Sequence, residues 1–144
     1  MVLIMKIIRA KEYVVVRLDE GDEVIASLSD ATRSENLGSG VVVSFVGALK
    51  SARLILRKGL EKTISTHLEA VGNGNISWFN NAPFVHIHVS VGSDQGVWVG
   101  HLLEGITDVF CEVIISPIEV RMTRSYSKEL ADSGVTVPFR LDIG

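Results

Sequence analysis

An α+β fold dominated by antiparallel β-sheet, with one main helix packed on it, is what the sequence predicts, on three observations. β-type runs recur along most of the chain, one segment alone carries helical spacing, and the gaps between runs are too short for repeated parallel crossovers. With 144 residues, 47% of them hydrophobic, and no long Pro-, Ser- or Gly-rich linker, the chain fits a single domain over residues 1–144. Its core is expected at about residues 5–121, while the more polar tail, 122–144, shows no legible arrangement.

Ile7 to Ala10 and Glu12 to Leu18 read as β-structure, the second through the branched run Val14-Val15-Val16. Asp19 to Asp22 is acidic, as the positive end of a helix dipole favours. Val24, Ile25, Leu28 and Ala31 follow at helical spacing until Gly38-Ser39-Gly40 ends the segment. Strand patterns then cover Val41–Val46, Ala52–Arg57, about Thr63–Val71, Phe84–Val91, Val97–Leu103 and Val109–Ile115. Turns are expected at Gly47, Lys58-Gly59, Gly72 to Asn75, Asn80 to Pro83, Gly92 to Gly96, and Gly105.

Mean hydropathy is +0.32, yet no segment approaches the roughly 18 uninterrupted apolar residues of a membrane span. The apolar surplus is therefore expected inside the fold or between subunits, which points to an oligomer. Fourteen basic against 17 acidic residues give a net charge of −3, without the basic surplus that draws proteins to phosphate backbones or anionic membranes. The single Cys111 cannot form an internal disulfide, and Met1 to Lys6 lacks the basic region and small-residue cleavage site of a secretory leader, so a cytoplasmic protein is expected. Met5, followed by Lys6 and a strand pattern, is a second candidate start that sets residues 1–4 apart.

Three of the four histidines, His86, His88 and His101, lie within one short stretch. Alternation along a strand puts His86 and His88 on one face with Phe84 and Ser90, and Val85, Ile87, Val89 and Val91 on the other. A hairpin with Asp94-Gln95 as its central pair sets Ser93 against Gly96 and, counting outward, His88 against His101. A slip of two residues would substitute His86; a slip of one would send His101 to the opposite face. Gly100 would let another group approach the backbone beside His101.

Three neutral imidazoles suit zinc or another borderline divalent metal, with the remaining position open to an outside ligand. The plainer alternative is two polar residues on a half-exposed sheet face and a hydrogen-bonded third. His67 stands apart and reads as structural. Glu112 interrupts the apolar run Val109 to Ile115, so it is either a satisfied structural carboxylate or a candidate catalytic base or metal-supporting group. Glu69 poses the same question more weakly, and Asp94 reads as a turn former. Gly38-Ser39-Gly40 precedes a strand rather than a helix and lacks a following Gly-Lys-Ser/Thr, which removes a phosphate cradle. No Gly-x-Ser-x-Gly elbow supports acyl transfer, and the apolar neighbours of Cys111 describe an inert thiol.

Several segments, in order, resemble the PPC domain, the plant and prokaryote conserved domain, in its stand-alone prokaryotic form. They are Val15 to Asp19 before the acidic-capped helix, Val43 to Leu49 with Ser51-Ala52, Gly74 to Ser77, Pro83 to Val89, Gly100 to Leu102, and Glu112-Val113. The resemblance implies a compact, largely antiparallel subunit assembling as a homotrimer, and a metal site, usually zinc, at His86, His88 and His101. It also carries the family label of predicted DNA-binding protein. The related plant proteins make DNA contact through a separate AT-hook, and no Arg-Gly-Arg-Pro hook or helix-turn-helix is present here. The resulting expectation is a cytoplasmic homotrimeric binding or regulatory protein with DNA or protein partners. The alternative is a zinc-dependent hydrolase or hydratase acting on a small molecule, with Glu112 as its base. A concave pocket at the histidines would favour the enzyme, and a closed site the module.

Overall fold

A computed structural model describes residues 5–10, 12–135 and 137–143; the separate-start reading of residues 1–4 lies outside them. The elements run β1 Lys6–Ala10, β2 Tyr13–Asp19, α1 Val24–Ser34, β3 Ser39–Arg57, β4 Leu60–Ile64, β5 Leu68–Phe79, β6 Ala82–Ser93, β7 Gly96–Ile118, β8 Thr123–Ser125, α2 Lys128–Asp132 and β9 Arg140–Asp142. The expected fold class holds: a mostly antiparallel sheet carries one substantial helix, and α2 is a short second one. The exception to antiparallel pairing is the single bridge between Trp78 and Thr123.

The pairings of β3 with β5, β5 with β6, β6 with β7 and β7 with β3 close on themselves, and β2 and β1 extend the sheet from β7. Inner positions carry the core: Val14, Val16, Val42, Phe45, Leu49, Leu54, Ile76, Ile87, Val89, Leu102 and Val113 are buried. Each such side chain contributes about 1.5–3 kcal/mol through removal from water. Helix α1 buries Val24, Leu28 and Ala31 at the expected spacing and packs against β6, β7 and β2. Its N-cap is Glu23 rather than the preceding acidic run. The Glu23 carboxylate accepts from Ile25 and Ala26 N–H and also from Gly105 N–H, which ties the helix start to β7.

Four expected strands are in fact two. Val41–Val46 and Ala52–Arg57 are parts of β3, and Val97–Leu103 and Val109–Ile115 are parts of β7. Gly47 and Gly105 are strand glycines, and register shifts near Gly47 and Leu49 let the long strands bend without a turn. The expected turn at Gly72 to Asn75 lies inside β5, and Thr63–Val71 divides between β4 and β5. A side chain at Gly72 or Gly74 would collide with the carbonyl of His88 or His86, so these glycines let β5 lie flush on the histidine strand.

The tail packs on its own sheet. Met122 O accepts from Trp78 N–H, Met122 N–H donates to Ser39 Oγ, and β9 pairs with β8.

Candidate metal centre

The counted hairpin register is the observed one: Ser93 faces Gly96, and His88 faces His101. Because Val85, Ile87, Val89 and Val91 fill the interior, His86 and His88 project from the outer face. One ring nitrogen from each of His86, His88 and His101 lies within 4.8 Å of the others. Ring centroids are 5.0 Å apart for His86 and His88 and 5.1 Å for His86 and His101. Burial is graded, with His88 exposed, His86 half-buried and His101 only 7% exposed. Gly100 permits a close approach, as expected: the group that comes near is the Ile55 carbonyl on β3, opposite this end of β7.

Burial, reinforced by Arg124 and then His88, lowers His86 to about 4 from the ordinary 6.5. Burial does the same to His101, again to about 4, with His86, His88 and Arg124 adding to it. Both rings are thus neutral near pH 7, as metal ligands must be. His101 Nδ1 is buried and has no hydrogen-bond partner among the described residues, an arrangement that a bound cation could satisfy. The donor set therefore fits a borderline divalent ion.

Two residues of the tail complete the surroundings, and neither was legible in the sequence. Phe139 stacks edge-on against His101 at 5.1 Å between centroids. Arg124, 6% exposed, donates to Ser77 Oγ at 2.8 Å, Phe139 O at 2.9 Å, Asn75 Oδ1 at 2.6 Å and His86 Nδ1 at 3.3 Å. No carboxylate among the described residues pairs with it.

A cavity of about 750 Å³ opens beside the histidines, walled by the β3–β4 hairpin on one side and by α2 and the segment leading to Phe139 on another. Glu112 does not line it. The carboxylate is exposed on β7 opposite Arg17 and Val46, because alternation sends Cys111 and Val113 inward and Glu112 outward. The lining carboxylate is Glu61. His67 is apart from the cluster, with Nδ1 2.8 Å from Asp108 and Nε2 3.0 Å from Glu69, and these contacts, Asp108 first, raise its pKa. Cys111 is buried, donates to the Ala48 carbonyl, and is pushed up by desolvation, as an inert thiol should be.

Residues 5–119 match the family described as the Plants and Prokaryotes Conserved (PCC) domain. The fold is similar to that of a candidate DNA-binding protein from Bacteroides thetaiotaomicron, at a TM-score of 0.80 and 23% identity over 88% of this chain and 92% of that one. It is similar to a metal-containing protein of Archaeoglobus fulgidus, at a TM-score of 0.74 and 24% identity over 90% and 94% of the two chains. A plant- and prokaryote-conserved protein of Pyrococcus horikoshii aligns at a TM-score of 0.69 and 24% identity over 99% and 100%. No curated protein matches the sequence.

Proposed function

The chain belongs to the Plants and Prokaryotes Conserved domain family, and from that membership and the histidine cluster we propose a homotrimeric binding or regulatory protein that holds a divalent metal, zinc foremost, through His86, His88 and His101. The observation that carries this reading is the convergence of three ring nitrogens within 4.8 Å, on neutral imidazoles that include the orphaned His101 Nδ1. The similar Archaeoglobus protein is described as metal-containing, which supports it. Zinc held by these three histidines would supply Lewis-acid chemistry at this site. Phe139 packs edge-on against His101, and Arg124 fixes the tail against the histidine strand.

Assembly is supported by the outer sheet face, where Val15, Val41, Val46, Val71 and Phe110 are exposed around the charged pair of positions Arg17 and Glu112, a largely apolar surface suited to a second copy. DNA contact, for which the similar Bacteroides protein is a candidate, is assigned here to partners, given the net charge of −3. No helix among the described residues is long and apolar enough to cross a membrane; the cytoplasm is the proposed compartment.

The cavity favours a second reading, a zinc-dependent hydrolase or hydratase acting on a small molecule, since a concave pocket adjoins the cluster. The carboxylate that lines this cavity is Glu61, and Glu112 lies outside it.

Elemental analysis of tag-free protein tests the metal site. Near-stoichiometric zinc in the wild type, lost when His86, His88 and His101 are all replaced by Ala, is expected. No metal in the wild type even after zinc is supplied would overturn the reading and leave the histidines structural.

A further inference from the structure

We infer that the cavity beside the histidines takes a small organic anion, a carboxylate on a hydrocarbon chain or ring, whose charge is met by Arg57 and Lys58. The inference deepens the metal-site reading and rests on it for the chemistry at the inner end.

The volume, about 750 Å³, lies within the range of small-molecule sites. Much of the wall is hydrocarbon: Leu60, Val99, Leu130, Val135 and Phe139 all face it. Such a wall gains free energy by covering an apolar ligand rather than water.

The charges sort the ligand further. Of the charged residues in the lining, Glu61 is engaged by Arg53, Nη1 to Oε2 at 3.3 Å. Arg57 and Lys58 have no ion pair among the described residues. Behind His86 the buried Arg124 guanidinium also lacks a carboxylate, and a divalent ion held by the histidines would add further positive charge. The uncompensated charge around the space is therefore positive, and a cationic ligand would find no free anion.

Placement gives the orientation. Ile55 pairs with His101, so Arg57 stands two residues farther along β3 and Lys58 follows in the turn. Arg57 and Lys58 are exposed, as is His88, whereas His101 is buried, which sets the cations at the mouth and His101 at the inner end. A ligand with its acid at the mouth and its apolar body along Phe139 presents to His101 the end remote from that acid.

Titration calorimetry of the full chain, zinc-loaded and metal-free, with octanoate and 4-phenylbutyrate against octanol and 4-phenylbutanol, tests this. The carboxylates are expected to bind about tenfold or more tighter than the alcohols, as a charge-assisted contact implies. In the metal-free chain, Arg57→Gln with Lys58→Gln should abolish that preference; both positions are exposed, and a circular dichroism melt checks the fold. In a second variant, Leu130→Asp should weaken both ligand classes. Equal binding of acid and alcohol, a preference that survives the double substitution in the metal-free chain, or no binding of any of the four at millimolar concentration would each overturn the proposal. Elemental analysis of the same samples separates the two readings. Carboxylate binding without retained zinc removes the metal site alone, and retained zinc without carboxylate binding removes the anion site alone.

Discussion

The guanidinium of Arg124 lies 3.3 Å from Nδ1 of His86, and a guanidinium can only donate, so the contact claims the Nδ1 lone pair and leaves the ring proton on Nε2. A metal recruiting His86 must displace that arrangement and tolerate a cation beside it. Ligating histidines ordinarily donate their second nitrogen to an acceptor, the reverse of what Arg124 offers.

Arg124→Gln is therefore expected to tighten zinc binding by about tenfold, because the amide oxygen can accept from Nδ1–H and the positive charge is gone. Competition with a chromophoric chelator measures it. Weaker zinc binding in the variant would show that Arg124 organises the site instead. The same substitution severs contacts to Ser77 and the Phe139 carbonyl, so a stability loss of about 1–3 kcal/mol should accompany it.

The metal-free protein should lose stability in acid. His86 and His101 titrate near 4 in the fold against 6.5 in the free side chain. Between those values the unfolded chain binds more protons, so unfolding is favoured as pH falls from 6.5 towards 4, while the contribution is fully present above 6.5. Thermal melts across this window should show a declining Tm, and His86→Asn with His101→Asn should flatten the decline. An unchanged slope in that variant would contradict it.

Gly100→Ala should destabilise the protein by about 1–3 kcal/mol or more, since the new methyl would meet the Ile55 backbone carbonyl rather than a yielding side chain. Denaturant unfolding gives the number. A neutral result would mean that β3 and β7 can separate at His101 without penalty.

Val46→Asp tests the assembly surface. Val46 is 47% exposed on the outer face, so the substitution should leave the subunit folded while lowering the sedimentation equilibrium mass from that of the proposed trimer to that of a monomer. A variant that stays trimeric would move the interface elsewhere.

The histidine cluster was legible because period-two alternation and a hairpin count are strictly local rules, and they placed His88 opposite His101. Arg124 and Phe139 were not, because their segment has no periodicity and their partners, Ser77, Asn75 and the histidines, are distant in sequence. Gly47 and Gly105 resembled turns for a similar reason. A strand glycine and a turn glycine look alike until the neighbouring strand that crowds the backbone is known, here Phe110 and Cys111 over Gly47. Glu112 looked buried among apolar residues, although the alternation that buries Cys111 and Val113 turns it outward.

The pairing of β3 with β7 joins Ser39 to Ile118 and Ile55 to His101. Chain entropy must be spent on closing such large loops before any of these contacts forms, which places folding in the slow regime of about milliseconds to seconds. On the ribosome β3 emerges well ahead of β7, with Val42, Phe45 and Leu49 uncovered in the meantime. That interval is when a nascent chain of this topology is most exposed to aggregation and most open to a chaperone.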